Sequence, residues 1–108
     1  MYNNYNGLTA AETERLAMLA EEAAEVIQAV GKVLRHGYSD SHPDYGVKNN
    51  RELLQAELND LVAVICILSK SGDLISVTQE EFVRVIESRL KHTHHQNTEF
   101  LLKGEVQQ

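Results

Sequence analysis

A chain of 108 residues has room for one domain and one modest core, and its 43% hydrophobic and 24% charged shares exclude a disordered polypeptide. A formal net charge of −6 excludes a protein that grips long nucleic acid, which needs clustered Lys and Arg; a single nucleotide stays open, because a bound divalent cation reverses the local charge. The one cysteine, Cys66, excludes an intramolecular disulfide and, inside an apolar run, reads as a buried core thiol.

The opening segment, Met1 to Gly7, is polar and uncharged, with no apolar signal core, and no run is long enough to span a bilayer. A cytoplasmic protein with no membrane partner is the expectation. The first helix is announced by Thr9 with Glu12 three residues on, a capping box. Apolar residues then recur at helical spacing through Leu16, Leu19, Ala20, Ala23, Ile27, Val30 and Leu34, as far as about His36. Gly31 interrupts that run and marks a kink or a close approach, whereas Gly37 stops the helix. Residues 37–49 are loop chemistry throughout. A second helix, capped by Asn49 with Glu52 or by Asn50, runs to Ser71 before Gly72. Thr78 with Glu81 gives a further box, so a third helix is predicted from about Gln79 to His92. The tail from Thr93 is polar except for Phe100, Leu101 and Leu102, which suit a short docking helix.

At 1.5 Å per residue the first helix is about 40 Å long, more than the width of a globule this size. Its apolar stripe extends nearly the whole way, so one end needs a second chain to cover it. The expected fold is therefore all-α: a helical bundle built on a long antiparallel helix pair plus a third helix, completed by oligomerisation as a homodimer or homotetramer. It forms a single domain over residues 1–108, with a core at about 9–92 and a polar tail at 93–108.

Charge is patterned on the first two helices. Glu21, Glu22 and Glu25 form E-E-x-x-E on helix one, and Glu57 and Asp60 form E-x-x-D on helix two. Residues three apart lie side by side on a helix. Most glutamates are solvated surface acids, but at about 100° per residue Glu57 falls inside the apolar sector of Leu53, Leu61, Val64 and Leu68. Asp60 lies at that sector's margin, and Glu22 borders the stripe of Arg15, Leu19 and Val26, with Glu25 one step further round. In an antiparallel hairpin the four acids converge and repel, so a cation must compensate. All-oxygen ligation suits Mg²⁺, with Mn²⁺ as a substitute. The absence of any Glu-x-x-His argues against a carboxylate-bridged redox iron centre.

The stretch Glu21-Glu22-Ala23-Ala24-Glu25, followed by Glu57-Leu58-Asn59-Asp60-Leu61, resembles the signature of MazG-like nucleotide pyrophosphohydrolases of the all-α NTP pyrophosphatase superfamily. The resemblance covers roughly residues 9–92 and is to the short single-domain members borne by phages and mobile elements. It implies Mg²⁺-dependent hydrolysis of a nucleoside triphosphate between the α and β phosphates, by metal-activated water, giving monophosphate and pyrophosphate. It implies Glu22, Glu25, Glu57 and Asp60 as metal ligands, and Glu21 as the residue that holds a second ion or positions the attacking water. It also implies dimers, often paired into tetramers, and an activity that clears or shapes deoxynucleotide pools. The third helix matches the family's basic phosphate-contacting stretch only loosely, and no role is carried over to Arg84 or Lys91.

Lys32 lies seven residues beyond Glu25, about 10 Å along the helix, which is triphosphate reach. Lys32 is the first candidate for phosphate contact, Arg35 and His36 are secondary ones, and Lys48 and Arg51 read mainly as solvated. Tyr38, His42 and Tyr45 carry the stacking groups of a base pocket, as do Tyr2 and Tyr5 with their asparagine neighbours, although such composition is ordinary for loops and termini. His92, His94 and His95 match no closed zinc pattern and read as an exposed helix end. The competing reading is a non-catalytic helical oligomerisation or interaction module that retains the fold and a structural metal site.

Overall fold

The computed structural model describes residues 5–41 and 48–103, and within them every regular element is a helix. In chain order these are α1 (Ala10–His36), α2 (Asn50–Lys70), α3 (Gln79–Leu90) and α4 (Thr98–Leu102). The chain divides into two compact units, residues 1–74 with α1 and α2, and residues 75–108 with α3 and α4.

Local chemistry sets both ends of α1 and α2. The Thr9 hydroxyl accepts the Glu12 N–H at 3.1 Å while Glu12 accepts the Thr9 N–H at 2.8 Å, so the predicted box is complete. Asn49, not Asn50, caps α2, again reciprocally with Glu52. Gly37 ends α1 at φ 82°, a conformation that side-chain-bearing residues avoid. Helix α2 ends at Lys70 in a Schellman motif: the Asp73 N–H reaches the Leu68 carbonyl at 3.0 Å and the Gly72 N–H reaches Ser69 at 3.1 Å. Gly72 supplies the positive φ of 83° that this turn requires. Helix α1 continues through Gly31 to His36, and a Cβ built there would come no nearer than 4.0 Å to the Arg35 guanidinium, so no close approach among the described residues explains the glycine.

The hairpin is antiparallel, as its two clasps show. At one end Arg15, early in α1, donates from Nε and Nη2 to the two carboxylate oxygens of Asp73, just after α2, the second bond being 3.0 Å. At the other end the start of α2 is tied to the chain leaving α1. Asn50 N donates to Asp40 O at 2.8 Å, Arg51 N to Tyr38 O at 3.0 Å, and the Asn50 side-chain amide to Gly37 O at 3.0 Å. The Arg51 guanidinium also lies 4.2 Å over the Tyr38 ring. Between the clasps the fully buried apolar contacts are Ala29, Val64 and Leu68, the last only 1% exposed.

One expectation is refined here and one needs correction. Of the apolar run read on α1, Leu19 and Ala23 turn inward together with Arg15, Glu22, Val26, Ala29 and Val33, as the placement of Glu22 beside Arg15, Leu19 and Val26 predicts, whereas Leu16, Val30, Ile27 and Leu34 are exposed, the last two at 71% and 81%. Helix α1 is apolar over a wide arc, and periodicity cannot say which part of that arc the same chain covers. Cys66 is exposed rather than buried, because it shares the outer side of α2 with Val62 and Ile65. An apolar run on a two-sided helix fills both faces.

In the second unit Thr78 caps α3 by accepting the Glu81 N–H at 3.1 Å, but among the described bonds the reciprocal half of the box is missing. Helix α3 stops at Leu90, two residues short of the predicted end, in a turn where Thr93 donates its hydroxyl proton to Leu90 O. The short helix expected around Phe100 is present as α4, capped by Asn97. No residue of α3 or α4 is fully buried.

Candidate metal centre

The caps fix the phase of each helix, and that phase brings two pairs of acids to the same level of the hairpin. Glu22 and Glu25 stand one turn apart on the inner arc of α1, and Glu57 and Asp60 one turn apart on α2. One carboxylate oxygen from each of the four lies within 4.8 Å of the others. Among the described residues this is the one group of His, Cys, Asp or Glu side chains close enough to share an ion, so His92, His94 and His95 form no such group. Glu22, Glu25 and Glu57 are half-buried and Asp60 is open to solvent. Glu21 is exposed and outside the group, though its charge acts on Glu22.

The electrostatics are those of an uncompensated anion cluster. Burial, then the charges of Glu25 and Asp60 and a hydrogen bond with Glu25, push the Glu22 carboxyl above its ordinary value. Glu57 is pushed up first by a hydrogen bond with Glu25, then by burial and by the charges of Glu25 and Asp60; Lys32 pulls it the other way. The Oε2 atoms of Glu22 and Glu57 are both buried without a hydrogen-bond partner. A buried carboxylate oxygen left in that condition is costly. A hard divalent cation satisfies both atoms at once, and a purely oxygen donor set fits Mg²⁺ or Mn²⁺ rather than a soft metal.

Beside the cluster opens a cavity of about 270 Å³ lined by Glu25, Gln28, Ala29, Lys32, Asn50, Leu53 and Glu57. The structure thus brings Lys32 to the wall shared with two of the acids. Arg35 and His36 are exposed beyond it and do not line it, nor do Lys48 and Arg51. Tyr38 faces Arg51, and Tyr5 is fully exposed. Tyr2, His42 and Tyr45 lie outside the described residues.

Residues 11–96 match the family model of the MazG nucleotide pyrophosphohydrolase domain. The chain belongs to the MazG family. No curated protein and no solved structure matches it. The matched span takes in both acid pairs, Lys32 and all of α3, and stops just before α4, so the MazG portion is all-helical here and nucleotide pyrophosphohydrolase activity is what the family suggests for it. No helix among the described residues is long and apolar enough to cross a membrane.

Two features escaped the sequence reading. Asn50 carried a signal only as a cap, yet it is a buried amide, 5% exposed, at the cavity wall. Arg15 and Asp73 are 58 positions apart, and no local pattern links them; the one available hint was a charged residue in the stripe with Leu19.

Proposed function

We propose that this MazG-family chain is a Mg²⁺-dependent nucleoside triphosphate pyrophosphohydrolase, cleaving a (deoxy)nucleoside triphosphate between the α and β phosphates to give the monophosphate and pyrophosphate. The observation that carries the reading is the pair of buried, partnerless oxygens on Glu22 and Glu57 within a four-carboxylate group, on a chain of this family. Glu22, Glu25, Glu57 and Asp60 would hold the metal. When bound, the ion supplies a water of lowered pKa and neutralises charge on the triphosphate. The chain's own residues do the rest. Glu21, exposed beside the cluster, would help to hold a second ion or to position the attacking water. Glu25 and Glu57 stand side by side at the cavity wall, where both would turn toward a bound cation. Lys32, at the cavity wall, balances negative charge next to Glu57. No side-chain nucleophile is needed, and the exposed acid Asp60 leaves the cluster open on one side for substrate. The exposed aliphatics of α1 and α2, Ile27, Leu34 and Val62 above all, support a homodimer or homotetramer as the working form.

The test is pyrophosphate release from a panel of NTPs and dNTPs with Mg²⁺, with Mn²⁺ and with EDTA. Metal-dependent release of monophosphate plus pyrophosphate is the expected outcome. Absence of release from every nucleotide, by protein that binds neither ion, sinks the reading and leaves an interaction module.

A further inference from the structure

We infer that the cavity beside the acids is a base-reading subsite, in which the carboxamides of Asn50 and Gln28 hydrogen-bond the edge of a neutral nucleobase. The inference rests on the proposed pyrophosphohydrolase reading and assigns a substrate fragment to one part of it. At about 270 Å³ the space is just below the ~300 Å³ at which pockets for drug-sized ligands begin. It suits a fragment of the substrate and not a whole nucleoside triphosphate.

Which fragment is decided by the donors at the wall. An oligophosphate is held by several cations or by free backbone N–H groups at a helix N-terminus. Among the described residues the cavity has one cation, Lys32, against two carboxylates, Glu25 and Glu57. The N–H groups that open α2 are already engaged: Asn50 with Asp40, Arg51 with Tyr38, and Glu52 and Leu53 with Asn49. The helix start is therefore closed to an anion. What remains are two carboxamides flanked by the small and aliphatic walls of Ala29 and Leu53, a lining suited to a flat ring with a polar edge.

Asn50 is built for reading rather than for solvation. Its residue is 5% exposed, and its side-chain nitrogen donates to Gly37 O at 3.0 Å. A carbonyl only accepts, so this bond fixes which end of the carboxamide is nitrogen. The amide plane is held, and the same side chain lines the cavity. A carboxamide carries the donor and acceptor chemistry that bases display along an edge. Gln28, exposed and on the next turn after Glu25, supplies an adjustable second amide. A site built to hydrogen-bond one base rejects another strongly, because the wrong base leaves its polar groups unpaired.

The experiment compares wild type, Gln28→Met and Asn50→Ser for kcat/KM over the four bases, with inorganic pyrophosphate as a competing inhibitor. Gln28 is exposed, so its variant tests the idea even where Asn50→Ser fails to fold. The expected result is a wild-type preference of tenfold or more that collapses at least tenfold in Gln28→Met, with Mn²⁺ binding and pyrophosphate inhibition unchanged. A wild type that treats all bases within twofold overturns the inference. So does a kept ranking in the variant, and so does a kept ranking with tenfold weaker pyrophosphate inhibition, which would make the cavity a phosphate site. Should wild type hydrolyse nothing and bind neither Mg²⁺ nor Mn²⁺, the enzymatic reading falls by itself. The subsite is then judged by titrating free nucleosides against the side-chain amide resonances of Gln28 and Asn50, where saturable shifts for one base support it and no shifts for any base overturn it.

Discussion

The inner and outer faces of the α1–α2 hairpin carry the reverse of the chemistry expected of a solitary pair. The inner face holds Glu22, Glu25 and Glu57 among Leu19, Val26, Leu53 and Leu61, whereas the outer surfaces present Ile27, Leu34, Val62 and Ile65 to water. Each inversion costs stability in the chain alone, one through repulsion and stranded carboxylate oxygens, the other through hydrated aliphatic surface. The two proposed partners, a cation inside and a further chain outside, would each relieve one of them. Breaking the faces separately distinguishes the two.

The largest effect is expected on the inner face. Glu57→Ala or Asp60→Ala should lower kcat/KM for triphosphate cleavage by on the order of 10³-fold or more, since each removes a proposed metal ligand, and pyrophosphate release measures it. In EDTA the same variants should be no less stable than wild type, and Glu57→Ala should melt higher because it removes a stranded charge. Full activity in both would remove the four acids from the site. On the outer face Ile27→Asp or Leu34→Asp should leave the four-carboxylate group intact and lower the oligomeric mass in analytical ultracentrifugation, because each puts a charge into the exposed apolar patch proposed as the interface. A wild type that is monomeric at all concentrations would break this half of the comparison.

A smaller effect, specific in sign, comes from pH. The carboxyls of Glu22 and Glu57 are pushed above their ordinary values, so in the window between the unfolded and folded values the native state binds more protons than the unfolded one. Stability of the metal-free protein is therefore fully supported below that window and falls as pH rises through it. Asp73 works the other way: its hydrogen bonds and ion pair with Arg15 hold its carboxyl below the ordinary value, so its contribution is present above the unfolded value and lost as pH falls through the folded one. In EDTA the melting temperature should therefore peak at acid pH, where Asp73 is ionised and Glu22 and Glu57 still hold their protons in the native state, and fall as pH rises from there. With Mg²⁺ the slope above the peak should invert, because the ion binds the deprotonated acids. Thermal scans against pH with and without Mg²⁺ check this, and identical profiles would mean that no ion enters the cluster.

Much of this was readable from local signals. Thr9 with Glu12 and Asn49 with Glu52 fixed where α1 and α2 begin, and from those starting points the inward phase of Glu57 follows by counting turns. The convergence of four acids was legible for the same reason, as helical spacing and an antiparallel return suffice to generate it. What was not legible depends on relations that spacing does not encode. The phase of α1 against α2 is a choice between two apolar arcs, made by packing at Ala29, Val64 and Leu68. The Arg15–Asp73 clasp needs the Schellman turn to aim Asp73, and the burial of Asn50 needs the Gly37 carbonyl to come back over the start of α2.

Gly31 gives the smallest and most discriminating probe, because it sits between the two faces, half-buried on α1. In the chain alone an added Cβ meets nothing closer than the flexible end of Arg35 at 4.0 Å. Gly31→Ala should then stabilise by about 1 kcal/mol through helix propensity alone. That gain is expected in the Ile27→Asp background, where the outer face is uncovered, and chemical denaturation measures it. If the oligomer uses the glycine for close backbone approach, the same substitution in the wild-type background should lose the gain and weaken association. An equal gain in both backgrounds would move the interface away from Gly31 and toward the Val62–Ile65 side of α2.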